Sequence, residues 1–259
     1  MPYISKKMEK LIVAAFAHLG ATLAWADPRP FTFTYDAYPI GKGGVEYEQW
    51  VTFNTHKASE HGFGEWEILH ELEYGLSDNL DVEFYFLRWK YEDSNEETGT
   101  KYDGGAVEFI YTILNPAKDH WGLALYAEFA AAENELEFEQ KVIVQKDIGK
   151  WILAYNLIVE TEIQGVFDSQ KENEVEGVIG HAFGVTTAVA RQWFVRGELS
   201  VESIFPDWSN YETTIAYLGP TISYQGGGRW WATITPAYQI TGEDEEPDWK
   251  IRLITGWEF

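Results

Sequence analysis

Carboxylates recur two residues apart along this chain: Glu65 and Glu67, Glu71 and Glu73, Glu160 and Glu162. Such pairs suit three kinds of chemistry: proton transfer between an acid and a base, ligation of a hard cation through oxygen, or attraction of positive charge without bond making. With 42 acidic residues in 259, pairs at this spacing arise readily from composition, so spacing alone does not choose among the three. A period of two is the side-chain period of a β-strand, in which residues i and i+2 share a face. The elements that must position these groups are therefore strands.

The stretch Glu65 to Tyr74 alternates, with Glu65, Glu67, Leu69, Glu71 and Glu73 on one face and Trp66, Ile68, His70, Leu72 and Tyr74 on the other. Trp151, Leu153, Tyr155, Leu157, Val159, Thr161 and Ile163 form another face, opposite Asn156, Glu160, Glu162 and Gln164. About twelve such segments follow one another, over 44–54, 64–75, 80–92, 105–114, 121–132, 136–146, 150–164, 175–190, 193–205, 211–225, 229–241 and 248–259, the count being open by about two. They exceed the usual strand of about 5–6 residues and match the about 9–11 residues of a tilted membrane strand. In 80–92 the outward face is broken by Arg88 and Lys90, which points to a β-bulge.

Connections alternate in kind. Short ones stand at Leu76 to Asn79, Asn115 to Asp119, Lys146 to Gly149, Arg191-Gln192 and Gly226 to Gly228. Longer, mostly acidic ones run over 56–63, 93–103, 165–174, 206–210 and 242–248, with a short exception near Glu133-Asn134. Basic residues precede Trp121, Trp151, Trp193 and Trp230-Trp231 at the short-turn side, Trp257 lies at that level, and Trp66 and Trp249 adjoin long loops. Trp favours the membrane–water boundary, so these residues are expected to form two girdles.

Composition narrows the classes further. A net charge of -23 opposes nucleic-acid binding, which needs a basic surface. An aromatic content of 16% is too rich for acidic disorder. The absence of Cys removes disulfides and thiolate metal sites. Residues 1–26 read as an export signal: Lys6, Lys7 and Lys10, then the apolar run Leu11 to Trp25, then Ala24-Trp25-Ala26 before Asp27. Residues 27–43, with Pro28, Pro30 and Pro39, read as a periplasmic lead-in that either enters the lumen as a small plug or lies under the barrel.

The chain closes on KIRLITGWEF. Alternating apolar residues with a terminal aromatic, here Ile251, Leu253, Trp257 and Phe259, resemble the C-terminal signature of bacterial outer-membrane β-barrel proteins. The hairpin Leu72 to Val82 also resembles a common outer-membrane hairpin, and within that group the chain looks similar to transporter-like barrels, including those near phenol-degradation pathways. The resemblance implies a bacterial outer-membrane location, contact with outer-membrane lipid, small solutes as cargo, and recognition by the barrel-assembly machinery through the last strand, with Trp257 and Phe259 as its signal. The expected fold is all-β: a single transmembrane antiparallel barrel over 44–259.

If the apolar faces meet lipid, parity points the opposite residues into the lumen: Glu46, Glu48, Glu65, Glu67, Glu71, Glu73, Glu108, Glu128, Glu137, Glu139, Glu160, Glu162, Arg196, Glu198, Glu202, Lys250 and Arg252, together with Asp81 and Glu83. The inward face of 175–190 is small instead: Gly180, Ala182, Gly184, Thr186 and Ala188, which either leaves open room or lets something pack against the wall. The expected function is a channel or transporter passing small solutes through an acidic, cation-favouring lumen. The alternatives are a non-conducting structural or surface-interaction barrel and a membrane-embedded hydrolase. For the last, His70 and His181 have outward parity without an evident Ser partner, and Asp119-His120 falls at a turn, so no catalytic residue is assigned. No cofactor or metal is expected; His56, Glu60 and His61 lack a ligand spacing, and the loop 242–248 reads as a solvated acidic loop.

Overall fold

The computed structural model describes residues 29–95, 98–167, 173–190, 192–226 and 229–259. The export segment read over 1–26 lies outside them. Among the described residues there are thirteen strands: β1 (Val45–Thr55), β2 (Gly64–Gly75), β3 (Leu80–Asp93), β4 (Thr98–Tyr102), β5 (Gly105–Leu114), β6 (Gly122–Ala132), β7 (Glu135–Ile148), β8 (Trp151–Gln164), β9 (Glu174–Ala190), β10 (Trp193–Phe205), β11 (Thr213–Gln225), β12 (Trp230–Gln239) and β13 (Trp249–Glu258). Successive barrel strands pair antiparallel, and β13 pairs with β1, which closes a ring of twelve. The expected all-β barrel is the observed architecture.

The thirteenth strand, β4, stands outside the ring. It lies in the stretch read from sequence as the loop 93–103 and folds back on the outer half of β3, with Trp89 opposite Tyr102 and Asp93 opposite Thr98. The bulge expected in 80–92 is present: the β2–β3 register shifts, His70 facing Leu87 while Glu71 faces Tyr85, so Phe86 is the extra residue on β3. Phe86 and Leu87 are both exposed, and the shift turns Arg88 and Lys90 inward. One inserted residue reverses facing for the rest of a strand because the side-chain period is two.

The barrel is apolar outside and polar inside. Leu72, Phe84, Phe129, Val142, Leu153, Phe183, Val195, Leu218 and Ile234 lie exposed on the outer face. Held in water, such a belt would forgo about 25 cal/mol for every Å² of apolar surface left unburied; lipid removes that cost. Trp66 and Trp249 sit at one rim and Trp121, Trp151, Trp193, Trp230 and Trp257 at the other, all exposed. Trp231 departs from the expected girdle. It is next to Trp230, so it faces the opposite way; it is 2% exposed, and its Nε1 donates to the Glu46 carboxylate inside the barrel. At the closing seam Trp257 faces Tyr47, and the amide of Phe259 donates to the Val45 carbonyl at 3.0 Å.

Candidate functional site in the barrel lumen

Strand register sorts the inward residues into two walls. From β1 to β8 the glutamates are opposed directly, strand to strand: Glu46 to Glu73, Glu73 to Glu83, Glu83 to Glu108, Glu108 to Glu128, Glu128 to Glu139, and Glu139 to Glu160. Glu46 is near the start of β1 and Glu160 near the far end of β8. Because barrel strands tilt, a row that follows the cross-strand direction also climbs the wall. The carboxylates therefore form a staircase from the short-turn rim toward the long-loop rim. Directly opposed residues have Cβ atoms about 4.5–5.5 Å apart, and like charges so placed repel.

The wall from β9 to β12 is different. It presents Gly180, Ala182, Gly184 and Thr186, then Ser200, and the hydroxyls of Thr221, Ser223, Thr233 and Thr235. Residues 29–40 dock here, inside the barrel. Glu198 holds the turn of this segment: its carboxylate accepts from the amides of Thr32 at 2.9 Å, Phe33 at 2.7 Å and Thr34 at 3.0 Å, and from the hydroxyls of Thr221 at 2.7 Å and Thr235 at 2.8 Å. Phe31 is fully buried on Gly184, the residue opposite Glu198 in the sheet. The segment then descends along β8 and β7. The Tyr35 amide donates to Asn156 Oδ1 at 2.6 Å, the Asn156 side-chain amide donates back to the Tyr35 carbonyl at 2.9 Å, and the Ala37 amide donates to Gln145 Oε1 at 2.8 Å. These bonds satisfy a backbone with no strand partner.

Cations and aromatic rings meet where the segment crosses the lumen. The Arg29 guanidinium lies 4.3 Å from the Tyr35 ring centre and 4.6 Å from that of Trp50, and pairs loosely with Glu48 at 3.8 Å and Glu83 at 3.9 Å. The Lys141 ammonium sits 3.9 Å from the Tyr35 ring centre and 3.8 Å from that of Tyr126. Two cavities border Tyr35. One of about 280 Å³ is lined by residues including Arg88, Glu128, Glu137, Glu139, Lys141, Glu202, Lys250 and Arg252. One of about 60 Å³ is lined by residues including Arg29, Glu46, Glu48, Glu73, Asp81 and Glu83.

All seventeen residues read as pore-lining are buried or half-buried. Glu46, Glu48, Glu65, Glu71, Glu73, Glu108, Glu128, Arg196 and Glu198 are buried; Glu67, Glu137, Glu139, Glu160, Glu162, Glu202, Lys250 and Arg252 are half-buried. The structure separates Glu198 and Arg196 from the staircase and brings them to the docked segment. Four lumenal cations stand outside the residues read as pore-lining, and of these the sequence marks Arg88 and Lys90 only as the sign of a bulge. Arg88 pairs with Glu137 at 3.8 Å and Asp103 at 3.5 Å, and Lys90 with Glu65 at 2.5 Å. Lys141 pairs with Glu139, and Arg29 comes from the docked segment. The parity shared by Lys141 with Glu137 and Glu139 was a sufficient signal for it; Arg29 had none, because it belongs to no strand.

The outward histidines each meet a tyrosine. Tyr47 Oη lies 2.6 Å from His70 Nδ1, and Tyr155 Oη lies 2.9 Å from His181 Nδ1. Each bond satisfies a polar ring on a face that otherwise meets lipid.

This architecture, an apolar-belted antiparallel ring of twelve strands with a polar lumen, is that of the transmembrane β-barrels of bacterial outer membranes. The chain belongs to the family described as DUF6662, a family of unknown function, whose model matches residues 23–251. No curated protein matches the chain. Among solved structures it is similar to the COG4313 outer membrane channel from Pseudomonas putida F1, with a TM-score of 0.63 and 13% identity over 86% of this chain and 98% of that one. It is similar to the NanC porin, with a TM-score of 0.56 and 12% identity over 83% and 100%. It is also similar to the KdgM porin solved with a disordered oligogalacturonate, with a TM-score of 0.54 and 6% identity over 83% and 99%. At these identities the likeness is one of fold.

Proposed function

We propose that the protein is an outer-membrane channel that passes small solutes through an acidic, cation-favouring lumen. The observation that carries this reading is the staircase of opposed glutamates from Glu46 to Glu160. A low-dielectric wall on which carboxylates outnumber the lumenal Arg and Lys concentrates counter-ions and rejects co-ions. The folds it shares with a channel and two porins support a transport role. An oligogalacturonate, the ligand seen with KdgM, is a polyanion, and this wall would repel it; cations and neutral solutes suit it better. The residues that would select are Glu65, Glu67, Glu73, Glu108, Glu128, Glu139 and Glu160, acting by field rather than by bond making.

The docked segment sets the resting state. With Tyr35 packed against Trp50 and Tyr126 inside the barrel, residues 29–40 occupy part of the path and would have to move or thin to widen it. The same packing favours a second reading, a non-conducting barrel whose acidic loops are its interface. Planar-bilayer recording under a KCl gradient separates the two. Discrete steps with a cation-selective reversal potential, weakened in Glu65→Gln/Glu67→Gln/Glu160→Gln, support the channel. A folded barrel that stays silent, both intact and with residues 29–40 removed, rejects it.

A further inference from the structure

The acidic wall over β1, β2, β3 and β5 holds more carboxylates than lumenal cations pair with. Glu48, Glu71, Glu73, Glu83 and Glu108 are each at most 9% exposed, and Arg29 is the cation that reaches them among the described residues, through two contacts near 4 Å. Their carboxylate oxygens converge. One oxygen each from Glu48, Glu71 and Glu73 lie within 4.8 Å of one another, and so do one each from Glu71, Glu83 and Glu108. Glu71 belongs to both groups and is 0% exposed, and no N–H or hydroxyl donor among the described residues reaches its oxygens, whose near neighbour is the Glu83 carboxyl; Glu108 Oε1 and Glu83 Oε2 also lack such a donor. A buried carboxylate aimed at other carboxylates with no donor is costly unless something positive lies between them.

We infer that this cluster is a binding site for a divalent hard cation such as Ca²⁺, centred on Glu71 between β1, β2, β3 and β5. The donors are all carboxylate oxygen, the set preferred by Ca²⁺ and Mg²⁺ over softer metals. Ca²⁺ holds oxygen at about 2.3–2.6 Å, so two oxygens on opposite sides of one ion stand roughly 5 Å apart. Three oxygens within 4.8 Å of one another fit around such an ion. The remaining positions fall to water, for which the adjoining cavity of about 60 Å³, bordered by Glu48, Glu73 and Glu83, has room. The ion would relieve repulsion among these carboxylates and tie β1, β2, β3 and β5 together.

Tb³⁺, a luminescent stand-in for Ca²⁺, provides the test, because Trp50 Nε1 donates to Glu48 at 2.7 Å and places an indole beside the cluster. The chain is refolded in detergent, stripped with chelator and titrated with Tb³⁺ under Trp excitation. Expected are saturable emission, its displacement by Ca²⁺, and at least a tenfold weaker affinity in Glu71→Gln, while Asp244→Asn/Glu245→Gln in the exposed loop changes nothing. Absent emission, emission unchanged in folded Glu71→Gln, or emission lost with the loop variant each overturn the site. If Glu71→Gln gives no heat-resistant folded band, Glu73→Gln and Glu108→Gln, each in one group only, are read instead; unchanged affinity in both overturns it. The site stands apart from conduction: a silent barrel that binds Tb³⁺ keeps it, and a cation-selective pore without emission loses it.

Discussion

The ring of Phe31 lies on Gly184 so closely that a methyl group built there would come within 2.6 Å of it. Gly184 faces Glu198 across the β9–β10 pair, and Glu198 accepts the three amides that follow Phe31. One glycine and one carboxylate on neighbouring strands therefore receive consecutive residues of the same segment. The glycine supplies space and the carboxylate supplies acceptors.

Gly184→Val removes the space. Overpacking costs about 1–3 kcal/mol, and here the ring yields more cheaply than the sheet. Because about 1.4 kcal/mol is a tenfold change in an equilibrium, the segment should open on the order of tenfold more often. The chain has no Cys and Thr34 Oγ1 makes no hydrogen bond, so Thr34→Cys is a benign single reporter. Maleimide labelling of Thr34→Cys should quicken by that factor in the Gly184→Val background; an unchanged rate would show that Phe31 does not hold the segment.

Glu198→Ala removes the acceptors. Hydrogen bonds to a charged group are worth about 1.5–3 kcal/mol each, and an alanine side chain offers the three amides no acceptor. Undocking of residues 29–40 should be favoured by at least about 3 kcal/mol, with the barrel itself intact. Proteinase K should then remove the segment while the heat-resistant barrel band on a gel persists. Loss of the barrel band would assign Glu198 a role in folding the wall instead.

Deleting Phe86 tests the bulge. Without it, Arg88 and Lys90 turn to the lipid face, losing their pairs with Glu137 and Glu65, and Trp89 turns inward. A basic residue on the lipid face costs about 2–4 kcal/mol at the midplane and less toward the rim. Folding yield into detergent should collapse on deletion and survive Phe86→Ala, which keeps the residue count. Equal yields for both would mean that the register can slip without penalty.

How far the sequence reached is clearest on β2 and β3. On β2, Glu65 through Tyr74 alternate without interruption, and reading every second residue sorts inner from outer without any knowledge of neighbours. On β3 the same rule breaks at Phe86; Arg88 and Lys90 on an apolar face signalled a bulge but not its consequence, two lumenal ion pairs. Trp230 and Trp231 show the limit of motif over parity: both follow a basic residue, yet adjacent positions on a strand cannot share a face.

The sequence by itself determined the barrel, its strand boundaries to within about two residues, and which face of each strand is apolar, because these depend on a local period of two and on the avoidance of buried backbone without partners. Only the tertiary structure decided what the lumen contains. That Glu46, Glu73, Glu83, Glu108, Glu128, Glu139 and Glu160 form one staircase depends on register between strands, which no single strand encodes. That residues 29–40 enter the barrel depends on Gly184, Glu198, Asn156 and Gln145, four positions scattered over β7 to β10 that complement one irregular segment only after the ring has closed.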